Sequence, residues 1–235
     1  AVRAGIRRGS VAAVIGYFRS DLLQVCRGLG RALREGDWGS PDARLGIAIA
    51  VGTLPVVVAG LLIKLFWPGY ETSPLRSVAS IGIVSIVMAL LLALAERVGQ
   101  RRKQLPSVQG LDGVVVGLAQ ALAIIPGVSR SGSTLTASLL FGWQRSDAAR
   151  FSFLLGIPAI TLAGLVELKG AFAEGSVYGP LPMLLGILSA AVVSWLAIAW
   201  LLKFLQTNST WPFVIYRLVF GVVLLALVLA NPTLG

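Results

Sequence analysis

Long apolar runs constrain this chain more than any other feature: residues 45–67, 77–94, 151–168, 181–202 and 212–230 are each dominated by aliphatic side chains. Each approaches the roughly 20 residues that a helix needs to cross a hydrocarbon core, and carries few internal charges. The composition agrees, with 56% hydrophobic and 13% charged residues, against roughly half and a quarter in soluble domains. A water-soluble fold could not hide runs of that length, so the chain reads as an all-α, polytopic membrane protein. Lys64 and Lys203 lie near run ends, where long stems let the ammonium reach water. Trp67, Trp195, Trp200 and Trp211 fit either interfacial anchoring or packing inside a bundle.

Lysine and arginine number 20 against 10 aspartate and glutamate, a formal charge of +10. On a soluble chain that excess points to nucleic acid, but no basic motif here is interleaved with aromatics. The cations sit instead in short gaps between apolar runs, where the positive-inside bias places them beside cytoplasmic headgroups. The gaps 19–44 (Arg19, Arg27, Arg31, Arg34, Arg44) and 96–103 (Arg97, Arg101, Arg102, Lys103) are basic, whereas 68–76 holds only Arg76 and Glu71. Residues 45–94 therefore read as an out-and-back hairpin with both ends in the cytoplasm. Cys26 is the one cysteine and histidine is absent. That excludes disulfide frameworks, cysteine–histidine zinc sites, a phosphohistidine and a histidine general base.

Residues 111–141 differ in kind. About fifteen mostly apolar residues (111–125) are followed by a polar, glycine-containing loop and then about eight more apolar residues. Neither half reaches the ~17 residues that set the lower limit for crossing. A re-entrant helix–loop–helix fits both lengths, provided protein or a wet cavity surrounds the irregular backbone. It keeps Arg145 and Arg150 cytoplasmic and puts the gap with Lys169 and Glu174 outside. Gly52-Thr53-Leu54-Pro55 and Gly156-Ile157-Pro158 echo one another, and read as small residues that let helices approach closely.

The loop runs Pro126-Gly127-Val128-Ser129-Arg130-Ser131-Gly132-Ser133-Thr134. Pro126 removes a donor and Gly127 permits a turn, which ends the first half-helix. Arg130 supplies a permanent cation whose planar fork matches phosphate oxygens. Ser129, Ser131, Ser133 and Thr134 supply hydroxyls, Gly132 gives close backbone access, and the second half-helix offers an N-terminus with free N–H groups. Together they describe an anion site, most naturally for phosphate. The plainer alternative is that hydroxyls in a membrane helix bond only to the preceding carbonyls. It is weaker for Arg130, because a charge between two short apolar segments is expensive unless paired or functional. Elsewhere, Glu167 reads as a solvated helix end near the outer surface and Glu96 as a plain surface charge beside Arg97. Arg217 reads as a cytoplasmic-side anchor, with headgroup contact as the lesser alternative.

The stretch Gly117-Leu118-Ala119-Gln120-Ala121-Leu122-Ala123-Ile124-Ile125 and the loop after it closely resemble the second signature of the undecaprenyl-diphosphate phosphatase family, also called bacitracin-resistance proteins. Phe151-Ser152-Phe153-Leu154-Leu155-Gly156-Ile157-Pro158 continues the likeness, as does Ile215-Tyr216-Arg217 with Gly221. The resemblance implies hydrolysis of undecaprenyl diphosphate to undecaprenyl phosphate and phosphate, which recycles the lipid carrier of peptidoglycan synthesis and confers bacitracin resistance. It implies a multi-pass protein of the bacterial plasma (inner) membrane with an inverted-repeat fold. Residues 1–235 would form one membrane domain, with 1–110 the remnant of a first repeat and 111–235 a second repeat carrying the hairpin. Arg130, Ser129 and Ser131 are then the catalytic candidates, and Gly127, Gly132, Ser133 and Thr134 the substrate-binding ones. The implied partners are a polyprenyl diphosphate lipid and the membrane, with no nucleic acid and room for a homo-oligomer.

The family's first signature, a glutamate-rich segment ending in Ser-Ser/Thr-Gly-His, has no counterpart in these residues. Its glutamates are expected to handle a divalent cation, Mg2+ or Ca2+, and the base chemistry, so no residue here is assigned to metal. The chain opens at Ala1 with Arg3, Arg7 and Arg8 ahead of a short apolar run, 11–18. A truncated or altered N-terminus is the expectation. The 235 residues alone are then expected to be weakly active or inactive, because phosphoanhydride hydrolysis needs both charge neutralisation and an activated water. A lipid-phosphate transporter or flippase would use a similar re-entrant anion site. That, and a remnant that folds without function, are the alternatives.

Overall fold

The structure, a computed structural model, describes the backbone of residues 2–173 and 180–231 and the side chains of residues 9–162, 164 and 184–231. Among these the chain folds into nine α-helices: α1 (Val2–Tyr17), α2 (Arg19–Glu35), α3 (Pro41–Phe66), α4 (Val78–Val98), α5 (Gly110–Ala121), α6 (Arg130–Leu140), α7 (Arg145–Ala173), α8 (Pro180–Thr207) and α9 (Trp211–Ala230). Local chemistry sets several of the ends. Pro41 opens α3 directly after the extended Ser40, where its missing N–H is no loss. The Ser77 hydroxyl caps α4 by accepting from the Ser80 amide at 3.2 Å. Gly36 ends α2 in the left-handed conformation, at φ 76°.

Helices α3, α4 and α9, and Leu184–Thr207 of α8, are long and apolar enough to cross a membrane. At roughly 1.5 Å per residue, the 26 residues of α3 reach about 39 Å, beyond the ~30 Å hydrocarbon core. Outward side chains such as Leu62, Leu90, Leu188, Val193 and Val222 stay exposed. Apolar surface on that scale is stable against lipid and not against water. The chain is an all-α, multi-span membrane protein. The run 151–168 lies in α7, a continuous helix of 29 residues. The side chains of Arg3, Arg7, Arg8, Glu167, Lys169 and Glu174 lie outside the described residues. The apolar run 11–18 is the later part of α1, which packs on α8, with Gly9 against the Ile187 carbonyl and Ser194 donating to Ser10 at 3.0 Å.

Helices α5 and α6 form the re-entrant hairpin expected over 111–141. At 12 and 11 residues they are about 18 and 16 Å long, too short to cross. Both ends of the hairpin lie at one face. Arg102 and Lys103, just ahead of α5, donate their amides to the Gly142 carbonyl at 2.8 and 2.9 Å, and Gln144 donates to the Lys103 carbonyl at 2.8 Å. The first arm lies backbone to backbone on α3: a Cβ on Gly113 would overlap Ala48, and one on Gly117 would stand 2.6 Å from the Gly52 Cα. The second arm is wedged between α4 and α7. One boundary differs from expectation. Helix α6 begins at Arg130, so residues 130–134 form its first turns rather than a loop.

At the basic face, buried charge ties the helix ends together. Glu96 is 2% exposed and accepts from Arg145 Nε at 3.0 Å, Arg101 Nη2 at 2.9 Å and the Thr210 hydroxyl at 2.8 Å. It thereby joins α4, α7 and the turn into α9. The expected plain surface charge is corrected: Glu96 sits at a helix end, but two other helix ends converge on it. Asp112 is buried as well, and takes Lys103 Nζ at 2.5 Å, the Trp143 indole N–H at 3.2 Å and the Gln109 amide at 2.8 Å.

Candidate functional site

Between α5 and α6 the chain reverses over a few residues. Gly127 takes φ 91°, and a Cβ there would stand 2.7 Å from the Ile81 carbonyl oxygen of α4, so only glycine satisfies both the turn and the contact. Ser129 follows at φ 63°, a region that costs a non-glycine residue about 1–3 kcal/mol. It caps α6, its hydroxyl oxygen accepting from the Gly132 amide at 3.4 Å. The tip is held from two sides. The Tyr70 hydroxyl, from the weakly charged gap 68–76, donates to the Ile124 carbonyl at 2.5 Å. Arg217 Nη2, from α9, donates to the Gly127 carbonyl at 2.6 Å.

A cavity of about 520 Å³ opens beside this tip, walled by α4, α6, α7, α8 and α9. Gly127, Ser129, Ser131, Gly132 and Arg217 bring polar groups to it, with Ser85 and Ser152; most of the remaining wall is apolar, including Leu92, Phe153, Leu201, Phe213 and Phe220. Arg217 is 9% exposed, and its Nη1 lies so close over Gly132 that a Cβ there would meet it at 2.6 Å. The guanidinium therefore stands over the first turn of α6. That turn carries N–H groups without intrahelical acceptors and the positive end of the helix dipole. A cation, several hydroxyls and a helix N-terminus thus meet in a chamber whose remaining wall is mostly apolar. Such an arrangement suits an amphiphile with an anionic, phosphate-like head.

The structure divides the residues singled out from sequence. Gly127, Ser129, Ser131 and Gly132 line the cavity. Arg130, Ser133 and Thr134 turn toward α7 or back onto their own helix. Arg130 Nη1 donates to the Gly156 carbonyl at 3.0 Å, and its guanidinium fills the space that a Cβ at Gly156 would need. Ser133 and Thr134 are buried and both donate to the Arg130 carbonyl at 2.9 Å, while Thr134 also pairs with the Ser152 hydroxyl at 2.5 Å. Helix geometry is the reason. Because successive residues rotate by about 100°, an early start for α6 puts 131, 132 and 135 on one arc and 130, 133 and 134 on another. The buried hydroxyls then satisfy backbone carbonyls, as membrane helices allow.

Arg217 is the residue that sequence reasoning misplaced: expected as a cytoplasmic anchor, it lies in the cavity wall with its Nε buried and without an acceptor among the described residues. A signal was present, since a charge inside the apolar run 212–230 is expensive unless it has a role. Ser85 and Ser152 had no comparable signal. The divalent cation implied by the resemblance finds no cradle here. No carboxylate lines the cavity, and no cluster of three or more His, Cys, Asp or Glu among the described residues could hold a metal ion. The described residues do not fit a resident Mg2+ or Ca2+.

The family described as bacitracin resistance protein BacA matches residues 1–223. A protein of Synechococcus sp. (strain RCC307) named undecaprenyl-diphosphatase is 97% identical over 235 residues, which is all of this chain and 82% of that protein. Proteins of the same name from Parasynechococcus marenigrum (strain WH8102) and Prochlorococcus marinus (strain MIT 9303) are 72% and 70% identical over 226 and 223 residues. These matches cover 96% and 95% of this chain and 79% and 76% of the relatives. The chain belongs to the bacitracin resistance protein BacA family.

Proposed function

We propose that this protein is an undecaprenyl-diphosphate phosphatase of the bacterial plasma membrane, recycling the lipid carrier of cell-wall synthesis and conferring bacitracin resistance. The single observation that carries this is a cavity with Arg217 and the α6 N-terminus at its polar end and apolar side chains elsewhere, in a chain 97% identical to a protein named undecaprenyl-diphosphatase. In the reaction, water adds to the terminal phosphorus and the bridging P–O bond breaks. Undecaprenyl phosphate and inorganic phosphate leave.

In this proposal the diphosphate head sits at the first turn of α6. Arg217 neutralises its oxygens, the Ser131 amide donates to them, and the Ser129 and Ser131 hydroxyls add further hydrogen bonds. Donors fixed in advance stabilise the charge that shifts onto oxygen as the phosphoanhydride breaks. Arg130 braces α6 against α7 through Gly156, and contributes a direct contact only when substrate draws it off that carbonyl. Gly127 and Gly132 keep the backbone close to the head, whereas Ser133 and Thr134 support the helix rather than the ligand. The divalent cation stays an implication of the family resemblance, without a ligand set among the described residues. A lipid-phosphate transporter is the less favoured reading, since the relatives carry a phosphatase name.

The test is phosphate release from undecaprenyl diphosphate in detergent micelles, where transport between compartments cannot occur. The protein is this chain extended to the full length of the RCC307 relative, alone and as Arg217→Ala. The expected result is release by the parent and a loss of roughly a hundredfold in the variant, the scale for removing one preorganised donor of developing charge. No release by the parent, or release untouched by Arg217→Ala, overturns the proposal.

A further inference from the structure

Helix α2 lines no part of the cavity, yet it is strongly amphipathic and rich in arginine. Its buried stripe is Asp21, Val25, Gly28 and Ala32. Asp21 takes Arg150 of α7 at 2.5 Å, while Gly28 lies against Asp42 and Ala43 of α3 and Leu29 against Gly46. Both contact points belong to the opening turns of α7 and α3, which start at the basic face. A helix that bridges those openings lies along the membrane surface rather than through it.

Beyond the buried stripe, the rotation of about 100° per residue sets Leu22, Cys26, Leu29 and Leu33 on one flank and Arg27, Arg31 and Arg34 on the far side. Cys26 is exposed and Leu33 is 74% exposed. Arg19, Arg27, Arg34 and, at the start of α3, Arg44 are exposed and have no acidic partner among the described residues, while Arg31 meets Asp42 at 3.4 Å. An unpaired basic arc beside an apolar flank that leaves Cys26 and Leu33 uncovered, on a helix tied to two membrane helices at their ends, matches the chemistry of a lipid interface.

We propose that α2 binds anionic phospholipid headgroups of the cytoplasmic leaflet through Arg19, Arg27, Arg34 and Arg44, with Cys26 and Leu33 at the acyl boundary. The exposed apolar flank favours lipid over an acidic soluble protein, which would need only the charges. Each cation near an anionic leaflet raises affinity several-fold, so the four together give a preference on the order of a hundredfold, which salt screens. The inference is independent of the phosphatase proposal.

Cys26, the sole cysteine, supplies the probe. The full chain, carrying an environment-sensitive dye on Cys26, is reconstituted in phosphatidylcholine vesicles with a trace of acceptor-labelled phosphatidylglycerol or acceptor-labelled phosphatidylcholine. Expected are a blue-shifted dye shielded from aqueous iodide, and energy transfer to phosphatidylglycerol well above that to phosphatidylcholine. The excess disappears at high salt and in the combined Arg19→Gln, Arg27→Gln, Arg34→Gln, Arg44→Gln variant, whose helicity by circular dichroism is unchanged. Equal transfer to both lipids, or a preference that survives the four substitutions, overturns the proposal. So does a dye quenched freely from water, the outcome expected if the face serves an acidic protein. None of these readouts requires catalysis.

Discussion

Replacing Gly132 by alanine separates the roles of the two arginines. The added Cβ would stand 2.6 Å from Arg217 Nη1, so the guanidinium must retreat by about 0.8 Å to reach ordinary contact at 3.4 Å. That retreat stretches the bond from Arg217 Nη2 to the Gly127 carbonyl, now 2.6 Å, and moves the cation off the first turn of α6. A hydrogen bond to a charged group contributes about 1.5–3 kcal/mol, so affinity for a polyprenyl diphosphate should fall roughly ten- to a hundredfold. Stability should change little, because the weakened Arg217–Gly127 bond is partly offset by the roughly 1 kcal/mol that alanine gains over glycine in a helix. Gly156→Ala is the counterpart, since its Cβ would overlap the Arg130 guanidinium and push it off α7. Titration of the detergent-solubilised protein with farnesyl diphosphate reads both variants. Loss in Gly132→Ala with binding largely kept in Gly156→Ala is the expected pattern. Wild-type affinity in Gly132→Ala, or loss confined to Gly156→Ala, would refute the placement of Arg217 at the head group.

Ser129→Gly relieves a φ of 63°, worth about 1–3 kcal/mol against a few tenths for the weaker cap. It should leave the protein as stable or more so while slowing phosphate release by the extended chain, and a faster variant would remove Ser129 from the site. Glu96→Ala strips the carboxylate from Arg145 and Arg101, which are 22% and 35% exposed. Denaturation in detergent should show a loss of roughly 2–4 kcal/mol, on the low side for a buried pair because the arginines keep some water; no loss would make the cluster incidental. Tyr70→Phe deletes the 2.5 Å bond to the Ile124 carbonyl, a change of about 1 kcal/mol. Faster hydrogen exchange at residues 125–128 should follow, and unchanged exchange would mean that the tip is held elsewhere.

Much of the fold was legible because membrane helices announce themselves by length: the runs 45–67, 77–94, 181–202 and 212–230 each coincide with a helix of the structure to within one residue at the ends that overrun it. The re-entrant hairpin was legible for the same reason, two arms too short to cross, and the glycines 113 and 117 that seat it on α3 are visible as small residues in an apolar stretch. What could not be read was the phase of α6. Starting it after Thr134 left every polar residue free for a ligand, whereas starting it at Arg130 commits Ser133 and Thr134 to carbonyls and Arg130 to Gly156. Turn phase depends on the Ser129 cap and the left-handed φ before it, which a residue string does not display. Arg217 and Glu96 were misread for a different reason. Glu96 looks solvated beside Arg97 and Arg217 looks like an interfacial anchor near the start of its helix, and only the convergence of other elements buries them.

The most direct test of the central claim, that Arg217 and the α6 N-terminus receive a lipid diphosphate head, is a binding comparison on the 235-residue chain itself. Undecaprenyl diphosphate is titrated against wild type and Arg217→Ala, with undecaprenol as the lipid that lacks the head. The account predicts saturable binding of the diphosphate, much weaker binding of undecaprenol, and loss of the difference in Arg217→Ala. Equal affinity for the two lipids, or a difference that persists without Arg217, would contradict it.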